Sequence, residues 1–432
     1  KGRLLVSDIG VSQQILIFDG LAARALRRCG TLGERNGIFS GPVPGRAGAL
    51  RFNRPRGVGC DAAGNIYVAS SGGTGGGSTV LESYTSEGTL RWRRCGLFFV
   101  DLADLDAESE RSVYSKEERF DFDLSRPAGQ QASYAAYTVN PWKYPDDPRI
   151  HIWSANAGFE RIRGVPLLFV SNMGQDIVQV FRFNPATDGE IAIPAALFAT
   201  RKVRVQRPGD DWPRSAPDGA WCWTDHNGDG AIQTNEYAHV GAASNGCVFV
   251  DSAATVWRVY KEEAVGVPFQ AFTTAGVPTW DWAKPRTVSC PAGLSELRRF
   301  KVDVASDVAA FGGDAGKDKH QHWKPMGPVV LVYRDVLKGQ PVKLWSAVLP
   351  YADGSKGHES AEPMSMEIAG DYLFVCYTRG LKDEGITWAF VKVYGLRDGR
   401  FVGNLVPERV TGELGLLDLE DALRVRRLRD GS

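Results

Sequence analysis

The chain has 432 residues, 43% hydrophobic and 24% charged, and its 51 Lys and Arg are balanced by 51 Asp and Glu. This is the composition of a folded globular chain. The zero formal charge excludes a global basic field for nucleic acid, while leaving room for local basic patches. No apolar run approaches the roughly 20 residues of a membrane-spanning helix. Seven scattered cysteines with no close pair exclude a thiolate zinc cluster and a disulfide framework, and read as buried free thiols. Gly is abundant at 49 residues, which favours a fold of many tight turns.

From the first residues onward, short β-branched or aromatic runs alternate with Gly, Asp and Asn turns, the chemistry of hairpins. Gly2-Arg-Leu-Leu-Val-Ser-Asp8 is followed by Gln13-Gln-Ile-Leu-Ile-Phe-Asp19. Phe52-Asn-Arg-Pro-Arg-Gly-Val-Gly-Cys-Asp61 is followed by Gly64-Asn-Ile-Tyr-Val-Ala-Ser70. Leu167-Leu-Phe-Val-Ser-Asn172 is followed by Asp176-Ile-Val-Gln-Val-Phe-Arg-Phe183. These residues resemble the NHL repeat, closely in the second unit and partially in the others. The resemblance implies four-stranded propeller blades. Weaker copies continue through Cys247–Val259, Leu297–Phe311 and Met364–Tyr394. The repeats are spaced more widely than the ~40–45 residues of a usual blade, so the connections carry insertions. Complete units start near Arg56, Asn156, Asn245, Arg298 and Pro363.

The ends supply one further unit. Residues 422–427 read as an innermost strand that stops at the turn Asp430-Gly431, and residues 3–7 read as a second strand lacking its first. Pairing them closes the ring and removes two open edges. The expected fold is therefore all-β: one β-propeller over residues 1–432, of six four-stranded blades closed by the two termini, with long inserted loops. One insertion is residues 99–155, acid-rich at Asp101–Asp106, mixed in charge at Ser115–Phe120, and too aromatic for a solvated linker. Another is the 206–245 connection. No signal peptide is visible at the start, but Lys1 begins inside a repeat, so a leader could precede this numbering; a secreted or periplasmic location is expected.

Within the second insertion, residues 225–236 read Asp-His-Asn-Gly-Asp-Gly-Ala-Ile-Gln-Thr-Asn-Glu. Asp225, Asn227 and Asp229 occupy the first, third and fifth positions of an EF-hand-like loop. Gly230 permits the sharp turn, Ala231 offers its carbonyl, Gln233 takes the often water-mediated position and Glu236 the bidentate one. Ile232 supplies the apolar anchor. Three carboxylates so close repel one another without a cation, so Ca2+ is the expected cofactor. No second loop exists, and the flanks Ala220-Trp-Cys-Trp223 and Tyr237-Ala-His239 are not long amphipathic helices. The loop therefore reads as a brace on a long connection.

Residues just before each innermost strand converge on a propeller axis: Arg56, Asn156, Asn245, Arg298, Glu362 and Asp421. Arg beside carboxylates suits an anionic or polyhydroxyl ligand. The same set could equally form a satisfied polar ring that plugs the channel. The chain is similar in fold to the six-bladed gluconolactonases, whose axial metal takes a ligand from an Asn-Asp pair following Arg-Pro. Here Arg56-Gly57 stands in that place, so no such metal is carried over. His320-Gln-His322 places two imidazoles on one strand face, and with Glu362 and Asp421 makes the weak catalytic set; His358-Glu359 is a similar candidate. No serine elbow, phosphate loop or dinucleotide fingerprint is present. Two functions stand: a binding or scaffold propeller whose ligand is an acidic saccharide or a protein, and a polysaccharide hydrolase or lyase with an axial active site.

Overall fold

The computed structural model describes residues 2–21, 24–72, 79–96, 102–172, 177–200, 203–204, 211–239, 248–316, 326–351, 361–377, 379–406 and 423–431. The chain is a β-propeller of antiparallel sheets. β1 (Leu4–Ser7), β2 (Ile15–Asp19) and β3 (Arg27–Leu32) form a three-stranded sheet in chain order. β4 (Pro55–Cys60), β5 (Ile66–Ser71), β6 (Thr79–Tyr84) and β7 (Leu90–Gly96) form the next, with four strands. β8 (Asp104–Leu105), β9 (Ser112–Tyr114), β10 (Glu118–Phe122) and β11 (Ala132–Tyr137) follow in the same meander order. β12 (Ser154–Ile162), β13 (Val165–Asn172), β14 (Ile177–Phe183) and β15 (Ala192–Ala199) make a long sheet.

After a small pair, β16 (Val203–Arg204) with β17 (Asp211–Trp212), the strands β18 (Trp221–Thr224) and β19 (Tyr237–His239) add to the β15 edge, giving six strands. β20 (Val248–Val250), β21 (Val256–Val259) and β22 (Glu263–Val267) are completed by β25 (Arg286–Ser289), while β23 (Phe269–Phe272) and β24 (Pro278–Trp280) form a side hairpin. β26 (Glu296–Asp303), β27 (Val308–Asp314), β28 (Val329–Arg334) and β29 (Val342–Val348) form one more four-stranded meander. β30 (Pro363–Ala369), β31 (Tyr372–Tyr377), β32 (Phe390–Gly395) and β33 (Phe401–Leu405) form the last.

The strands form where the sequence alternates. β5 buries Ile66, Val68 and Ser70 and half-exposes the residues between them, as a strand with one core face does. β15 is buried at all eight positions because β14 and β18 flank it and both its faces are covered. The β4–β5 turn needs a left-handed residue, supplied by Gly64 at φ 86. Asp61 locks that turn by accepting from the backbone N–H of Asn65 at 2.9 Å.

Cores lie between neighbouring sheets. Phe198 of β15 meets Trp280 of β24 with ring centroids 5.1 Å apart. Trp257 of β21 meets Phe300 of β26 at 5.0 Å. Val308, Val330 and Val332 pack in one cluster with Met366, Leu373 and Val375. Such sheet-on-sheet burial, rather than any one blade, holds the ring together.

Three expectations take a different form. Residues 102–137, within the stretch read as an insertion, form a four-stranded sheet of their own, because their aromatics alternate as strand residues; Tyr114 stacks on Phe159 of β12 at 4.1 Å. Among the described residues, 423–428 enter no ladder with β1, and the β1–β3 sheet keeps three strands. Their arginines are drawn instead to carboxylates on the axis, described below. Cys29, Cys60 and Cys95 are exposed, on the outer strands β3 and β7 and the end of β4, whereas Cys222 and Cys376 are buried as expected. No helix among the described residues is long and apolar enough to cross a membrane.

Candidate functional site

The inner strands β12, β20, β26 and β30 converge on a cavity of about 140 Å³. Asn156, Glu160, Asp251, Lys301, Glu367 and Arg424 are among its lining residues. Charged side chains from these strands and from residues 424–426 meet here across the ring. The Lys301 ammonium lies 3.2 Å from a Glu367 carboxylate oxygen and 4.9 Å from the centre of the Phe249 ring. Arg424 reaches Glu367 at 3.8 Å.

Arg426 is the most heavily bonded of the set. Its Nε donates to Asp104 Oδ1 at 2.9 Å, one terminal nitrogen to Glu160 Oε1 at 2.6 Å, and the other to the Phe159 carbonyl at 3.0 Å and to Asp104 Oδ2. Burial alone would lower the Arg426 guanidinium, but Asp104 and Glu160 outweigh it and raise it well above its ordinary value. Burial pushes Glu160 up to about 7, with Arg426 opposing and Asp104 adding to the rise. Asn156 is buried, its Nδ2 donates to Ser171 Oγ at 3.4 Å, and its Oδ1 has no hydrogen-bond partner.

Of the axial residues expected from register, Asn156 lines this cavity. Arg56 is exposed on β4 and does not line it. Arg298 is turned to its own sheet, where its Nε donates to Asp314 Oδ2 at 2.7 Å and Glu296 lies 3.8 Å away. Glu362 is buried just before β30. Asn245, His320, His322, His358, Glu359 and Asp421 lie outside the described residues. The charges that do meet sit three to five positions further into each strand than the register argument placed them. The missed signal was a lone charge in an apolar strand, as in Met364-Ser-Met-Glu-Ile368.

The second site joins β18 to β19. Here Asp225 is fully buried and its carboxylate accepts from the backbone N–H groups of Gly228, Asp229 and Gly230 at 2.9–3.0 Å. Gly228 and Gly230 make this wrap possible at φ 81 and 74. Asn227 Oδ1 accepts from Asp229 N, and Asp229 Oδ1 from Ala231 N. Glu236 reaches back to His226 N at 2.9 Å and accepts from Trp223 Nε1 at 2.9 Å. Burial, with Glu236 adding to it, pushes Asp225 up to about 6 despite these donors. The Gln233 side chain caps the short turn Thr234–Glu236 by accepting from the Glu236 backbone N–H, and its Nε2 donates to Asp229 Oδ2 at 2.8 Å.

The loop is anchored outside itself. Ile232 N donates to Asp146 Oδ2 at 3.3 Å and Arg182 donates to the Gly228 carbonyl at 2.7 Å. The oxygens of Asp225, Asn227, Asp229, Gln233 and Glu236, with the Ala231 carbonyl, form an all-oxygen donor set of the kind a hard cation takes. In this conformation the carboxylates face backbone N–H groups, and among the described residues no three His, Cys, Asp or Glu side chains cluster as metal ligands.

No family model matches the chain, and no curated protein matches it. Among solved structures it is similar to a Bacteroides fragilis protein provisionally assigned as a 6-phosphogluconolactonase, at 11% identity over 97% of this chain and 95% of that one, with a TM-score of 0.33. It is also similar to a Lactobacillus plantarum protein, at 10% identity over 81% and 96%, with a TM-score of 0.30. A third is dihydro-heme d1 dehydrogenase NirN in complex with DHE, at 10% identity over 94% and 73%, with a TM-score of 0.30. At these scores the likenesses say nothing about activity, and the propeller rests on the chain's own sheets.

Proposed function

We propose that this chain is a calcium-braced propeller of NHL-like repeats that serves as a binding scaffold. One observation carries the reading: the axis, where a propeller enzyme would hold its reacting groups, is occupied by ion pairs in which every one of its three cations meets a carboxylate. Lys301, Arg424 and Arg426 face Asp104, Glu160 and Glu367. The cavity left beside them, about 140 Å³, falls short of the ~300–1,000 Å³ of a usual ligand pocket. Ligands then bind on the blades' outer surfaces.

Calcium at Asp225–Glu236 belongs to the same proposal. Its support is the spacing and the two left-handed glycines. When bound, the ion would neutralise Asp225, Asp229 and Glu236, while Asp225's bonds to Gly228–Gly230 keep the loop wrapped. An acidic saccharide held by Arg56 and Arg298 has lost part of its motive, since Arg298 is matched by Asp314.

A second reading, the polysaccharide hydrolase or lyase, is favoured by Glu160. A buried carboxyl near 7 inside a cavity has the proton affinity of a general acid. The two are separated by incubating the calcium-loaded chain with neutral and acidic polysaccharides. New reducing ends or unsaturated uronates that vanish in Glu160→Gln would establish the enzyme. Binding without turnover establishes the scaffold, and calorimetry with Ca2+ alone tests the brace.

A further inference from the structure

Charge is unevenly shared along the chain. Residues 1–96 carry thirteen Lys and Arg, twelve of them Arg, against six Asp and Glu, although the whole chain is balanced at 51 each. Residues 1–96 therefore carry a surplus of seven positive charges that the remainder offsets.

On the β1–β3 sheet this surplus collects at one end. Leu4 pairs with Phe18, Phe18 with Arg28, and Asp19 with Arg27. Arg3, Leu4, Arg27 and Arg28 thus share the end of the sheet that leads into the β2–β3 turn, and that turn carries Leu21, Arg24 and Leu26. All seven side chains are exposed. Leu4 is 37% exposed, and Leu21 and Leu26 are 49% exposed each. Among the described residues, Asp19 lies 3.9 Å from Arg27 in a pair that is itself open to solvent, and Arg28 faces the charge of Asp8 more distantly. By contrast, Arg93 on the neighbouring sheet is held by buried Glu82 at 2.6 Å.

Large aliphatic side chains held out in water among arginines mark an interaction surface. The chemistry of the apolar part selects the partner. A saccharide or a nucleic-acid strand is gripped by exposed aromatic rings beside Arg, and the exposed apolar residues here are leucines. Leucines flanked by guanidinium groups suit an anionic bilayer: the leucines enter the headgroup boundary and each cation adds its attraction to lipid phosphate. Arg can follow the leucines inward because its stem is apolar. We infer that this end of the β1–β3 sheet, through Leu4, Leu21, Leu26 and the arginines at 3, 24, 27 and 28, docks the propeller on an anionic membrane surface. It lies at the surface and crosses nothing.

The test is co-sedimentation of the full chain with phosphatidylcholine vesicles made with and without phosphatidylserine. Binding is expected on the anionic vesicles alone and should weaken as salt rises. The triple variant Arg24→Ala, Arg27→Ala, Arg28→Ala should lower partitioning by at least about tenfold. Leu21→Ser with Leu26→Ser should lower it by about tenfold, through lost apolar burial. Both variants should melt with the parent, since every altered side chain is exposed; single Leu26→Ser serves if the pair does not. Equal binding to neutral vesicles would overturn the inference. So would a leucine variant that binds as the parent does while dextran sulfate displaces both, because that describes a site for a soluble polyanion.

Discussion

The loop at Asp225–Glu236 and the axial network are two collections of charge built in opposite ways. The loop draws its carboxylates from twelve consecutive residues and satisfies them largely with its own backbone N–H groups. The axis draws its charges from five separate segments, and its central pair, Arg426 with Asp104, is 322 residues apart in sequence. The loop contains three carboxylates and no Lys or Arg. The axis matches each cation with an acid. A site of like charges with no cation awaits a counter-ion, whereas cations that each hold a carboxylate are already paired, and this difference separates the proposed ligand site from a structural plug.

The largest expected effect breaks the plug. Arg426→Ala leaves Asp104, fully buried, and Glu160 without their cation. Loss of one partner from a buried pair costs about 3–5 kcal/mol, read as a fall in the urea midpoint at constant slope. If the variant unfolds with the parent, the C-terminal segment is not part of the axis.

The loop should behave oppositely, gaining stability from added ligand rather than from its own partners. Ca2+ at 100 times its Kd should stabilise the parent by about 2.7 kcal/mol. Glu236→Gln removes a bidentate charge and should lose most of that gain in a thermal melt. Calcium that leaves the parent's melting temperature unchanged would erase the contrast between the two regions.

Protonation sharpens the comparison further. The folded axis holds a proton on Glu160 up to about pH 7, whereas the unfolded chain releases it near 4.5. A raised carboxyl favours the folded state at low pH, so this contribution falls as pH rises from 4.5 to 7, by up to about 1.4 kcal/mol per unit. Glu160→Gln should flatten the stability profile in that window, measured without calcium. A parent profile already flat there would mean that Arg426 keeps Glu160 ionised.

The smallest effects concern the two arginines expected on the axis. Arg298→Ala strands buried Asp314 and should cost about 1–3 kcal/mol. Arg56→Ala alters an exposed side chain and should stay within about 0.5 kcal/mol. Similar costs for both would place Arg56 in a network as well.

Local chemistry made much of this molecule legible in advance. Alternation and Gly or Asp turns marked the strands, so units expected near Arg56, Asn156, Arg298 and Pro363 begin at β4, β12, β26 and β30, within two residues of those positions. The wrapped loop at Asp225–Glu236 and its two left-handed glycines were likewise readable, because all its residues lie within twelve consecutive positions. Tertiary structure decided the rest. Whether Arg298 faces an axis or Asp314, whether residues 102–137 cover a sheet or form one, and where residues 423–428 lie depend on segments tens to hundreds of residues away. A side chain's partner across the ring is set by how the sheets pack together, and Coulomb attraction among buried groups then chooses from what that packing brings within reach. Sequence pattern determines which faces of a strand are apolar; it contains no record of which charge will stand opposite.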